Sequence, residues 1–203
     1  MYKVHRDTKR VIGDDANKIR EYAPLPGRIY TAAFRPDGAV FAVGSSLDGK
    51  GESCLFEGRV VDLQGNPIAG ARVDVWSDNA DGFYDVQQPG IQPQHNNRGV
   101  FITGADGRYS FVGIKPVSYP IPDDGPVGQM LAHLGRHPYR PAHMHYLVTA
   151  PGFEKLVTHT FVGGDTYLTS DAVFGVRESL VTDWLQLANG SYQLDFDFVL
   201  NPV

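Results

Sequence analysis

Apolar and polar residues alternate with a period of two in short runs from residue 55 onward, and this pattern predicts strands. Residues 55–62 (LFEGRVVD) and 71–76 (ARVDVW) are the first two, parted by the turn Gln64-Gly65-Asn66-Pro67. Residues 100–103 and 108–112 flank Ala105-Asp106-Gly107, an Asp-Gly signal that predicts a hairpin. Further strands are expected at 139–148, 155–162, 179–184 and 192–200. The last sets Leu194, Phe196, Phe198 and Leu200 against polar neighbours. Residues 78–82 and the polar stretch 87–97 (QQPGIQPQHNN) read as loops. The three prolines of 115–124 (KPVSYPIPDD) exclude a helix interior or a central strand and make a stiff loop around Tyr119. One short helix is expected after Asp124 as its cap, with Val127, Met130, Leu131 and Leu134 apolar and Gly135 closing it. About eight short strands, one short helix and long loops give a mainly β chain, an antiparallel two-sheet β-sandwich.

Residues 1–52 stand apart as an N-terminal extension to the sandwich of 53–203. Asp14 and Asp15 could cap a short helix over 16–22 that ends near Pro24 and Pro26, and the rest reads as loop with one strand around 39–43. The chain has 203 residues, enough for one domain with a core and a short appendage. Its 23 glycines and 14 prolines agree with many turns. A net charge of −5 argues against a nucleic-acid partner, because phosphate binding needs a basic surface. No apolar run approaches a membrane span, and MYKVHRDTKRVIGDD lacks the apolar core of a signal peptide, so a cytoplasmic protein is expected. Cys54 is the single cysteine, which excludes an internal disulfide and a thiolate metal cluster.

The chemistry is concentrated in 139–148 (YRPAHMHYLV). On a strand, His143 and His145 share one face while Met144 and Tyr146 take the other, so both imidazoles can reach one metal ion. Arg140 enters that strand as a permanent cation. The alternative is two ordinary solvent-facing histidines. Two tyrosines stand near in the pattern: Tyr84 after Asp81-Gly82-Phe83, and Tyr119 between prolines. Taken alone, each is more often an amphipathic core or rim residue than a ligand.

Five segments in order carry a resemblance: 58–87 (GRVVDLQGNPIAGARVDVWSDNADGFYDVQ), 98–111 (RGVFITGADGRYSF), 115–128 (KPVSYPIPDDGPVG), 135–165 (GRHPYRPAHMHYLVTAPGFEKLVTHTFVGGD) and 170–181 (SDAVFGVRESLV). Together they resemble the catalytic domain of the intradiol ring-cleaving dioxygenases, most closely the hydroxyquinol 1,2-dioxygenase branch, with catechol and chlorocatechol 1,2-dioxygenases as neighbours. The resemblance implies a non-haem Fe(III) held by Tyr84, Tyr119, His143 and His145. It also implies a catechol-type substrate, O2 as co-substrate, and a cis,cis-muconate-type product containing both oxygen atoms. By the family pattern Tyr119 is the phenolate that leaves when substrate binds, Tyr84 stays, and Arg140 stabilises negative charge on the substrate. Phenolate is a hard anionic donor suited to ferric iron. Two phenolates and one hydroxide also balance three positive charges in a buried site.

His159, in 156–160 (LVTHT), matches a position where the hydroxyquinol branch carries histidine and catechol-type relatives carry glutamine. The resemblance makes it a catalytic candidate. Its other readings are a support for the iron ligands or a histidine hydrogen-bonded within the sandwich. His5, His95, His133 and His137 are read as solvated or structural. Residues 1–52 do not match the helical domain that family members usually carry ahead of the catalytic one, so pocket shape and homo-oligomerisation stay open. Two rivals remain. Residues 58–112 also resemble carboxypeptidase regulatory-like and prealbumin-like sandwiches, which are metal-free binding modules. A zinc hydrolase on the same histidines would need a third nitrogen, sulfur or carboxylate ligand that the motifs do not supply.

Overall fold

The computed structural model describes residues 50–203 and, before them, only the backbone of the short strands Lys3–Val4, Val11–Ile12, Thr31–Phe34 and Phe41–Gly44. The helix expected over 16–22 lies outside the described residues. From residue 50 on, the strands in chain order are β1 (Ser53–Asp62), β2 (Arg72–Trp76), β3 (Arg98–Ile102), β4 (Arg108–Ile114), β5 (Tyr119–Pro120), β6 (Tyr139–Arg140), β7 (His143–Thr149) and β8 (Leu156–Val162). After these come β9 (Val181–Thr182), β10 (Leu185–Gln186), β11 (Tyr192–Asp195) and β12 (Phe198–Leu200). The helix α1 spans Pro126–His133.

Two sheets face each other. One has the order β9-β8-β7-β2-β3; the other is built on β1, with β4 along one edge and β11 and β12 in succession along the other. The period-two pattern explains the sandwich. On β7, Met144, Tyr146 and Val148 turn inward. They meet Val73 and Val75 of β2 and Phe56 and Val60 of β1 in one buried core. Phe56, Phe111 and Phe101 stack through that core, with successive ring centroids 4.6 Å apart. Removing one of these rings would cost about 3–5 kcal/mol.

The sandwich matches the expectation, but some pairings differ. Residues 100–112 do not form a hairpin: β3 pairs with β2, whereas β4 pairs with β1 in the opposite sheet. The Asp-Gly turn forms locally, with Gly107 N–H donating to Gly104 O at 2.9 Å, and carries the chain across the sandwich. Core demand decides this, since Phe101 and Phe111 must stack from opposite walls. The sheets are also not strictly antiparallel. β11 and β12 run parallel to β1, and β9 runs parallel to β8. The strand expected over 192–200 breaks at Phe196-Asp197. There Gly58 allows a close approach: a Cβ at that position would lie 2.0 Å from Phe196 O.

Residues 179–184 give only the two-residue β9 after a single 3-10 turn, Glu178–Leu180. In α1 the cap is Gly125 rather than Asp124, with Pro126 supplying a preset first turn. The helix does end at Gly135 (φ +63°), where Arg136 N–H reaches Leu131 O at 2.9 Å. Of its four expected apolar positions only Leu131 is buried; Val127, Met130 and Leu134 are exposed.

A candidate metal centre on the outer face of the sheet

Because Met144 and Tyr146 point into the core, His143 and His145 point outward, away from it. The loops between strands then cover them. His143 is fully buried and His145 half-buried. Trp76, opposite His145 on β2, stacks flat on its ring at 4.9 Å and 6° and fixes its plane.

Two loops bring phenols over this face. Tyr84 precedes the 3-10 turn Asp85–Gln87. Its N–H donates to Gln87 Oε1 at 2.8 Å, and the Asp85 carboxylate accepts from Arg98 Nε at 2.9 Å and His95 N–H at 3.0 Å. Tyr119 lies in β5, which pairs with β6 so that Tyr119 stands beside Arg140. The result is a closed ring of four donor atoms. Tyr84 Oη lies 3.0 Å from both Tyr119 Oη and His145 Nε2, His143 Nε2 lies 3.1 Å from His145 Nε2, and Tyr119 Oη lies 3.3 Å from His143 Nε2. Donors bonded to one ion at about 2.0–2.1 Å stand roughly 2.8–3.4 Å apart for bond angles from square to tetrahedral. The four atoms therefore fit one small cation.

Protonation agrees with that fit. Arg140 Nη1 lies 3.0 Å from His143 Nε2, and a guanidinium can only donate, so Nε2 presents its lone pair. Nδ1–H of the same ring donates to Pro141 O at 2.7 Å, which holds the tautomer. Burial, reinforced by the Arg140 charge, pushes the His143 imidazole down to about 3. Burial and the adjacent His143 push His145 down to about 2. Both rings are thus neutral donors at physiological pH. Burial raises Tyr84 well above the ordinary phenol value, with the neighbouring Tyr119 adding to it. It raises Tyr119 as well, there opposed by the Tyr84 hydrogen bond and the Arg140 cation. Without a cation the phenols keep their protons, and binding one would release them.

Arg140, 7% exposed, is held by Asp171, 3% exposed, through Nε to Oδ1 at 3.1 Å and Nη2 to Oδ2 at 3.4 Å. Burial opposes ionisation of Asp171, but the arginine and the N–H groups of Gly175 and Val173 outweigh it and keep the carboxyl below its ordinary value. Arg140 is thereby aimed at the ring of donors rather than at solvent. His159 faces His145 across the β7–β8 pair, with ring centroids 4.6 Å apart. Burial and Arg140 lower its pKa too. One nitrogen from each of His143, His145 and His159 lies within 4.8 Å of the others, so the third nitrogen that a zinc site lacked in the sequence is present. The phenol oxygens nevertheless form the tighter set with His143 and His145.

The structure brings Tyr84, Tyr119, Arg140, His143, His145 and His159 to one place. The other described histidines serve the scaffold: His137 Nε2 lies 2.8 Å from Ser170 Oγ, His133 Nδ1 lies 2.7 Å from Gln129 O, and His95 uses its backbone. Sequence reasoning missed Asp171, Trp76 and Asp78. Asp78 is fully buried next to the Tyr119 loop, and neither carboxylate oxygen has a well-formed partner among the described residues. Burial pushes its carboxyl up to about 8, and the Val117 amide offsets this only in part. No helix among the described residues is long and apolar enough to cross a membrane.

The outer face of this β-sandwich gathers two phenols, two neutral imidazoles and a buried guanidinium, a mixed oxygen and nitrogen donor set of a size that suits one small cation. A family model described as Dioxygenase matches residues 30–202. The hydroxyquinol 1,2-dioxygenase of Rhizobium sp. is 60% identical over 166 residues, which cover 76% of this chain and 56% of that protein. The 6-chlorohydroxyquinol 1,2-dioxygenase of Cupriavidus pinatubonensis is 57% identical over 153 residues, covering 75% of this chain and 55% of that protein. The solved hydroxyquinol 1,2-dioxygenase of Pseudomonas putida superimposes with a TM-score of 0.74 at 34% identity, over 99% of this chain and 68% of that one. The chain belongs to the intradiol ring-cleavage dioxygenase family. It spans little more than half the length of the first two relatives. The reading as a metal-free binding module is not favoured.

Proposed function

We propose that the protein is an intradiol dioxygenase that opens a catechol-type ring, hydroxyquinol being the substrate favoured by its relatives, with both atoms of O2 entering the product. The closed ring formed by Tyr84 Oη, Tyr119 Oη, His143 Nε2 and His145 Nε2 carries this reading, because two phenols and two neutral imidazoles suit ferric iron. When bound, Fe(III) supplies a Lewis acid that chelates the diol and accepts electron density from it.

The chain's own groups do the rest. His143 and His145 are neutral donors, the first held in its tautomer by Pro141 O and the second held in its plane by the Trp76 stack. Tyr119 is the better placed of the two phenols to cycle between bound anion and free phenol. Its β5 backbone touches Arg140, whose charge offsets part of the burial cost of its phenolate. Tyr119 Oη would take one of the two substrate hydroxyl protons as the diol binds. Tyr84 lies beside it with its backbone pinned at Gln87, and stays. Arg140, pinned by Asp171, places positive charge where the ring and the incoming oxygen accumulate negative charge. His159 lines the same face as a neutral imidazole able to contact a ring substituent.

A direct test is to load the purified protein with ferric iron and expose it to hydroxyquinol in air. The expected outcome is a red-brown resting protein, one iron per chain, and a ring-opened dicarboxylate with uptake of one O2. A colourless protein that leaves hydroxyquinol intact overturns the proposal.

A further inference from the structure

The segment 163–175 contributes no donor atom to the ring, yet it is bonded to the site and to the scaffold beside it. Asp171 grips Arg140, and Ser170 meets His137. Asp165, at its start, does something more specific. One carboxylate oxygen, Oδ2, accepts both from Ser118 Oγ in a short hydrogen bond and from Ala142 N–H at 3.0 Å. Ser118 immediately precedes Tyr119, and Ala142 immediately precedes His143. The other oxygen, Oδ1, accepts from Tyr167 N–H at 2.8 Å, which orients the carboxylate.

A single oxygen atom therefore ties together the two backbone stretches whose side chains must meet. Tyr119 comes from a proline-stiffened loop and His143 from the start of a strand, and their donor atoms lie 3.3 Å apart. Between β5 and β6 there are only two paired positions, Tyr119 with Arg140 and Pro120 with Tyr139. That short ladder ends before His143, and the Asp165 clamp is a hydrogen-bonded tie that reaches the residues next to both donors. A carboxylate suits the task because it can accept several hydrogen bonds at once and donates none.

We infer that Asp165 is a positioning residue that fixes the Tyr119 phenol against His143 through its shared bonds to Ser118 and Ala142. The inference rests on the iron-site reading above. It predicts that loosening the clamp alters the Tyr119 bond to the metal before it harms the fold. Supports of this kind around metal ligands typically govern affinity by about 10–100-fold.

The test compares the iron-loaded wild type with Ser118→Ala, Asp165→Asn and Thr103→Val. Thr103 donates to Ile68 O and accepts from Ala71 N–H, bonds that involve no residue of the site, and serves as the control for general loss of stability. Three readouts are taken: ferric-ion affinity, the position of the phenolate-to-iron absorption band, and the melting temperature. Ser118→Ala is expected to weaken iron binding by about tenfold and to shift the band, while Thr103→Val lowers the melting temperature and leaves the band in place. Asp165→Asn should fall between wild type and Ser118→Ala, because its amide oxygen can still accept from both partners. A coloured wild type with band and affinity unchanged in Ser118→Ala and Asp165→Asn overturns the inference alone. The same holds if affinity merely follows melting temperature across all variants. A wild type that binds no iron and shows no band overturns the iron-site reading, and the inference falls with it.

Discussion

The hydroxyls of Tyr84 and Tyr119 meet at 3.0 Å with their rings edge to face at 87°, although 35 positions separate them in the chain. Two buried phenols this close cannot both ionise unless a cation lies between them and the field of Arg140 helps. Replacing either with phenylalanine keeps the ring packing and removes one anionic donor. Tyr119→Phe is expected to change the visible spectrum of the iron-loaded protein and to lower kcat by roughly 100-fold or more, since it deletes the proton acceptor as well as the donor. Tyr84→Phe should lose iron outright. Iron analysis and optical spectra after dialysis distinguish the two.

Arg140 and Asp171 form an almost fully buried pair, so removing one partner leaves the other charge stranded. Arg140→Ala is expected to destabilise the fold by about 3–5 kcal/mol as well as abolish activity. Arg140→Lys keeps the charge but not the two-nitrogen grip on Asp171, so stability should be largely retained while kcat/KM falls. Denaturant titration beside steady-state kinetics separates the two effects.

The metal-free protein should be sensitive to acid. His143 titrates at about 3 when folded, against an ordinary value of 6.5. The unfolded chain thus binds protons first as pH falls. Stability is complete above the ordinary histidine value and declines toward the folded one, at about 1.4 kcal/mol per pH unit for each buried imidazole. His145, pushed down to about 2, adds a comparable share, discounted because that ring is only half-buried. His143→Asn should flatten this slope in melting curves recorded across the acid range.

Asp78 works in the opposite direction. Its carboxyl is raised from 3.8 to about 8 in the fold, so folding favours the protonated form. Stability should fall as pH rises from about 4 to about 8, by about 2 kcal/mol or more in total. Asp78→Asn cannot lose a proton. It is expected to melt higher than wild type at alkaline pH and to differ little near pH 4, a comparison that calorimetry can make.

Much of the site was legible because its residues sit on repeating patterns. The alternation through His143, Met144, His145 and Tyr146 placed both imidazoles on one face, and the prolines around Tyr119 marked a stiff loop. The sandwich followed from the same period-two runs. What pattern could not reveal was which strand pairs with which. Phe101 and Phe111 flank a proper turn and still belong to opposite sheets, because stacking across the core outweighs pairing across the turn. Nor could local reading find the acids that aim the site. Asp171 lies 31 positions beyond Arg140 and Asp165 lies 23 beyond Ala142, and nothing in the intervening sequence has a period that links them.

The parallel docking of β11 and β12 against β1 has a consequence for how the chain folds. Arg59 is bound through backbone and side chain to Asp197, 138 positions away. During synthesis one border of the second sheet must therefore stay unzipped until almost all of the sandwich has been made, and closure of so long a loop is slow. The nascent protein has to shelter an open, sticky strand border throughout that interval, which makes the C-terminal segment the gatekeeper of productive assembly.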